Sequence, residues 1–235
     1  MSDTGIEDQV LRLRRLWWRF ALAAAAVGVA AFAWEEPFVA LFGVLPTLAW
    51  CVLAKSARTG VVVGLVLLAL LAWFVVPREL DLAGPWVPAS MEVYWFHTTL
   101  AAVVCAVGMR VERQRLSALL PTMVVVGLLA AGGAVVVHWQ APPRNEGVAP
   151  GPSQLTVTRD YPCGSGGCWG ELEVTGDRAF DVMREYLVPH GFTPAGEDNG
   201  IPQFCRRTGV LVTHEVCARL RALSATAVRV EWDVN

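Results

Sequence analysis

Residues 122–139 read TMVVVGLLAAGGAVVVHW, an apolar and small-residue run with no carboxylate, lysine or arginine. As a helix it reaches roughly 27 Å, about the hydrocarbon thickness of a bilayer. Before it the chain holds four more segments of the same kind; after it the composition turns polar. This run therefore divides a membrane half from a water-soluble half, and the side on which it ends decides where the second half works.

The hydrophobic fraction of 54% with only 17% charged residues exceeds the soluble average, and the excess lies before position 140. The net charge of −2 supplies no domain-wide positive field, which argues against a nucleic-acid partner. Abundant Ala, Val, Gly and Arg suit a high-GC bacterium, so a bacterial cell membrane is the expected home.

Residues 1–16 form a polar, cytoplasmic N-terminal segment in which Arg12, Arg14 and Arg15 gather before Trp17. The expected transmembrane domain, residues 17–139, comprises five spans at about 17–34, 38–54, 61–76, 93–109 and 122–139. Ala31-Phe32-Ala33 makes a cleaved signal peptide the rival reading of the first span. Its apolar run is longer than the usual signal core. Pro46 removes one hydrogen bond from the second span, which membrane helices tolerate when neighbours re-satisfy the freed carbonyl. Residues 77–92, with Pro77, Pro85 and Pro88, read as a loop too broken for a helix.

Orientation follows from basic residues. Arg12, Arg14, Arg15, Arg19, Lys55, Arg58, Arg110, Arg113 and Arg115 fall on one side if the spans alternate. Loops 35–37 and 77–92 on the other side hold only Arg78, against Glu35, Glu36, Glu79, Asp81 and Glu92. The positive-inside rule then puts the N-terminus in the cytoplasm and, with five crossings, the C-terminal domain outside a plasma membrane. Trp17, Trp18, Trp34, Trp50, Trp73, Trp95 and Trp139 near span ends read as interfacial belts.

Residues 140–153, QAPPRNEGVAPGPS, read as an extended Pro/Gly-rich linker. Residues 154–235 are expected to form a small extracytoplasmic α+β domain, ββαβββ, an antiparallel sheet with one helix. Leu155–Thr158 and the alternation through Leu172 and Val174 supply the first strands. Asp177 is positioned to cap a helix reaching about Leu187, with Ala179, Phe180, Met183 and Leu187 on one face. Gln203–Arg207, the alternation from Val210, and Val228, Val230, Trp232 and Val234 supply the remaining strands.

Cys163, Cys168, Cys205 and Cys217 all lie in this domain, where an oxidising face favours structural disulfides. Of three connectivities, Cys163–Cys168 with Cys205–Cys217 is favoured, since the first pair flanks a Gly-rich turn. A two-residue turn at Thr208-Gly209 would set Cys205 opposite Val212, so the second bridge requires another register or a bend. Zinc fits the four- and eleven-residue ligand spacings poorly, and a redox pair is usually C-x-x-C.

His97 and His138 are the ionisable groups inside the spans apart from Arg19, and both fall toward the outer leaflet. They are the weak candidates for a metal, haem or quinone site; the plain reading is a pair of interfacial histidines bonded to water or backbone. No Asp or Glu falls within the five spans, so a proton relay or ion-coupled transporter lacks its parts. Gly28 and Gly127 with Gly132-Gly133 give small-faced helices, read as intramolecular packing surfaces with homo-oligomerisation as the alternative. No nucleophile, zinc-protease or phosphate-loop motif occurs, and His214 lies on the apolar phase of a strand.

These features point to a polytopic membrane protein displaying a disulfide-stabilised domain for ligand or protein binding, as a sensor or an accessory subunit of an envelope complex. No catalytic residue, cofactor or metal is assigned. The expected partners are the bilayer and an envelope protein or small ligand. The alternative is a membrane oxidoreductase or cofactor-binding protein using His97 with His138, or Cys163 with Cys168.

Overall fold

The computed structural model describes residues 3–33, 36–80, 82–140, 146–164 and 167–234, with side chains described for all of these except residues 3–15, 137–140 and 167. Its helices are α1 (Asp3–Ala30), α2 (Pro37–Leu53), α3 (Ala57–Glu79), α4 (Ser90–Glu92), α5 (Thr98–Val111) and α6 (Leu119–Gln140). A π-helical turn, Val93–His97, joins α4 to α5, so Ser90–Val111 is one continuous helical stretch. Among the described residues four helices are long and apolar enough to cross a membrane: Leu16–Ala33, Ala57–Glu79, Ser90–Val111 and Leu119–Val136. The apolar α2 has 17 residues.

The chain divides into two compact units. The first joins Met1–Glu79 to Ser90–Ala131. Its helices cross where a glycine lets a large side chain in. Trp18 lies over Gly60 and Leu22 over Gly64, where an added Cβ would come within 2.4 and 2.3 Å respectively. Gly60 and Gly64 form a G-x-x-x-G that suits close helix approach. Trp50 fills the space beside Gly108 and is fully buried, its Nε1 donating to the Gly60 carbonyl at 3.0 Å. Trp18 is likewise buried, at 3% exposed, so these two expected belt residues are core. Trp17, 62% exposed, keeps an outward place.

One end of this bundle is tied by side chains rather than by apolar contact. Arg19 donates to the carbonyl of Ala54, just beyond α2, at 2.7 Å. Glu112 accepts the amides of Lys55 and Ser56, at 2.9 and 3.0 Å, capping the entry to α3. Gln114 holds Glu112 and reaches the Leu53 carbonyl. Burial pushes the Glu112 carboxyl up, but these hydrogen bonds outweigh it and hold the group below its ordinary range.

The second unit joins Leu80–Ala89 to Gly132–Asn235. Its strands are β1 (Thr156–Asp160), β2 (Cys163–Gly164), β3 (Gly167–Cys168), β4 (Gly170–Thr175), β5 (Thr193–Asp198), β6 (Ile201–Thr208), β7 (His214–Ser224) and β8 (Ala227–Val234), with helix α7 (Ala179–Leu187) after β4. Six strands form one antiparallel sheet in the order β1-β4-β8-β7-β6-β5, and β2 with β3 makes a separate short hairpin. The sheet thus has one strand more than ββαβββ. β5, TPAGED, lacks apolar alternation because it is a solvent-exposed edge strand.

Alternation elsewhere sets the core. Leu172, Val174, Val216, Ala218, Leu220, Val228, Val230 and Trp232 face inward with Phe204, and Met183 and Leu187 of α7 bury against the same cluster. At ~1.5–3 kcal/mol per buried large side chain, this layer carries most of the unit's stability. Asp177 does not cap α7: Arg178 occupies the cap position in a left-handed conformation with no side-chain cap bond. Val148 and Ala149, inside the stretch expected to be a linker, are buried in this core.

Residues 82–89 complete the unit as a strap. The Gly84 amide donates to the Arg207 carbonyl at 2.9 Å, the Gly209 amide to the Val87 carbonyl at 2.7 Å, and Arg206 Nη2 to the Leu82 carbonyl at 3.3 Å. Val87 and Ala89 are buried, and Arg206 is 7% exposed. Backbone groups flanking the β6–β7 loop are thereby satisfied by a segment more than a hundred residues earlier.

Candidate functional site

The sheet brings the four tail cysteines together as two disulfides, Cys163–Cys168 and Cys205–Cys217. Cys163 opposes Cys168 across the β2–β3 hairpin. The second pair is in register because residues 209–213 form the β6–β7 connection, so Thr208 opposes His214 and Cys205 opposes Cys217. The two-residue turn does not form, and its conflict with this bridge disappears. Cys205, Cys217 and Glu215 bring their ligand atoms within 4.8 Å of one another, yet both sulfurs are spent on the bridge. His214 Nε2 lies 3.4 Å from a Glu146 carboxylate oxygen, at the start of β7.

His97 sits at the end of the π-turn, 1% exposed. Its ring packs edge-on against Phe74 at 5.2 Å between centroids, and Phe74 in turn meets Phe96 and Trp73. Its Nδ1 is buried with no hydrogen-bond partner among the described residues. Thr98 and Thr99 explain how the chain sustains a π-turn here. Their hydroxyls donate to the carbonyls of Tyr94 and Trp95, both at 2.5 Å, satisfying groups the wider turn leaves free. The His138 side chain lies outside the described residues, so the expected pairing of the two histidines does too.

Near the start of the same helical stretch is a charged group that the span boundaries had excluded. Glu92 is fully buried, directly before the π-turn and inside Ser90–Val111. Glu36, at the N-cap of α2, accepts from Arg78 Nη2 at 2.8 Å and from the Ser90 hydroxyl at 3.2 Å. Arg78 also lies 3.6 Å from Glu79, while its Nη1 is buried without a hydrogen-bond partner among the described residues. Two helix ends are therefore joined by an ion pair and a third by the Ser90 hydroxyl, with side chains of Glu36 and Arg78 only 15% and 14% exposed. Such a network fixes geometry; removing one member leaves the other charge uncompensated.

Chemically, His97 offers its unpartnered Nδ1 to a ligand, and among the described residues it belongs to no group of three or more metal-ligating side chains. The fold thus defines an apolar helical unit followed by a disulfide-bonded antiparallel-sheet unit. Compared with family models, curated proteins and solved structures, the chain matches none.

Proposed function

We propose that the chain is a multi-pass plasma-membrane protein that holds its sheet unit outside the cytoplasm. There the unit binds a ligand or partner protein, as a sensor or an accessory subunit of an envelope complex. The observation that carries this reading is the strap. Leu80–Ala89 and the sheet share one compact unit, and two span-length helices, Ser90–Val111 and Leu119–Val136, intervene. Two crossings return a chain to the face it left. Arg110 in the last turn of the first helix, and Arg113 and Arg115 between the two, belong on the cytoplasmic side by the positive-inside rule, which leaves the strap and sheet outside. This argument is independent of whether the 17-residue α2 crosses. Two disulfides in the sheet unit fit an oxidising compartment.

A phosphatase reporter fused after Asn235 is expected to be active, and one fused within residues 112–116 inactive. The reverse pattern overturns the reading. Cross-linking in intact cells from Glu173 or Arg221, on exposed positions of the sheet, is expected to recover a specific envelope partner.

The unpartnered Nδ1 of buried His97 supports a second reading, a cofactor-binding membrane protein. A visible absorbance band in the purified chain that is lost on His97→Ala would establish it in place of the first.

A further inference from the structure

The Thr99–Ala106 stretch of α5 and the start of α6 line an open apolar groove of about 220 Å³. Val103 and Ala106 form one wall, Leu120 and Val124 the other, and Leu116 with Ser117 closes the end nearest the connecting loop. The groove exists because α6 makes its tight approach farther along, where Gly127 abuts the Tyr94 carbonyl and the Thr98 hydroxyl. Val103 is 56% exposed, so the groove opens outward from the bundle.

Charge surrounds its loop end. Arg110, Arg113 and Arg115 are all exposed, and none pairs with a carboxylate among the described residues. Arg115 directly precedes Leu116 of the groove, and Arg113 takes a left-handed conformation (φ 54°) that turns the chain there. The adjoining carboxylate, Glu112, is already committed to the amides of Lys55 and Ser56. An open carbon-lined cleft with unneutralised guanidinium groups at one end matches an amphiphile with an acyl chain and an anionic headgroup.

We infer that this groove is a binding site for an anionic glycerophospholipid, with an acyl chain between α5 and α6 and its phosphate at Arg113 and Arg115. The inference rests on the membrane reading of the helical unit. Burying methylenes against Val103, Ala106 and Val124 supplies affinity without selectivity. Selectivity comes from the arginines, because each basic group at a membrane surface favours an anionic headgroup by about fivefold.

The test reconstitutes the full chain in phosphatidylcholine vesicles containing a minority of phosphatidylglycerol, extracts it in mild detergent, and counts retained lipid by native mass spectrometry. Phosphatidylglycerol is expected to remain bound in clear preference to phosphatidylcholine. Arg113→Gln with Arg115→Gln is expected to reduce that preference by about fivefold per residue. Val103→Trp, an outward-facing change that fills the groove, is expected to remove the retained lipid whatever its headgroup. Thermal unfolding and both disulfides serve as folding controls for each variant. Equal retention of the two lipids by the unsubstituted chain, an undiminished preference after the arginine changes, lipid retained after Val103→Trp, or a dimer occupying the groove in place of lipid overturns the inference. A chain that stays soluble without detergent and fails to enter vesicles overturns the membrane reading itself, and this site with it.

Discussion

The Gly209 amide donates to the Val87 carbonyl across 2.7 Å, linking the loop after β6 to a segment that precedes α4. With Gly84 bonded to Arg207, it makes the strap part of the sheet's hydrogen-bonding system. Gly84 has φ +134°, a conformation side chains rarely adopt, and an added Cβ would meet the Trp86 ring at 3.1 Å. Gly84→Val in the full chain is therefore expected to destabilise the sheet unit by about 1–3 kcal/mol. Denaturant unfolding followed by hydrogen exchange of the β6–β8 amides checks this, and an unchanged midpoint contradicts it.

The Cys205–Cys217 bridge joins adjacent central strands and closes a longer loop than Cys163–Cys168, with sequence separations of 12 and 5. Replacing Cys205 and Cys217 together by alanine is expected to cost about 2–3 kcal/mol, and the corresponding change at Cys163 and Cys168 less. Thermal unfolding of the two double variants gives the order directly.

Glu112 confers a pH dependence with a definite sign. Its carboxyl is held below the ordinary value of 4.5 in the folded chain, so the unfolded chain binds a proton first as pH falls. The stabilisation is complete above the unfolded range and is lost as pH drops through the folded value. Glu112→Gln is expected to lose about 1–2 kcal/mol near neutrality and to flatten this acid limb. Proteolytic susceptibility of the 53–56 loop across pH 3–7, a range set around ordinary carboxylate titration, provides the measurement.

Two glycine sites on α6 should respond unequally. A Cβ at Gly127 would fall 2.2 Å from the Tyr94 carbonyl oxygen, whereas at Gly132 and Gly133 nothing lies within 4 Å. Gly127→Leu is expected to cost about 1–3 kcal/mol by forcing the helices apart. Gly132→Ala should stay within about 0.5 kcal/mol. Resistance to unfolding in denaturing detergent separates them.

Periodic apolar patterning made the helices and most inner strands readable, because Val228, Val230 and Trp232 or Leu172 and Val174 report the core face directly. β5 was hidden because an exposed edge needs no such pattern, and TPAGED reads as a turn. Register was hidden too: local turn chemistry at Thr208-Gly209 favoured a tight hairpin, while the disulfide and strap belong to a longer connection. Of the candidate residues, the Cys163–Cys168 pair was legible from the Gly-rich turn it flanks, whereas Cys205–Cys217 conflicted with the expected turn and depends on the longer connection. Glu92 was missed because Pro85 and Pro88 suggested that the helix starts later. G-x-x-x-G at Gly60–Gly64 was a usable signal for the α1–α3 crossing that helix hydropathy alone does not register.

In the proposed topology, the strap also makes biogenesis self-checking. Residues 80–89 leave the ribosome well before the sheet they complete, so their translocation must already have succeeded when β6 and β7 emerge. A nascent molecule threaded backwards between those points would strand the two halves of one fold in different compartments, and quality-control proteases would meet an unfinished edge.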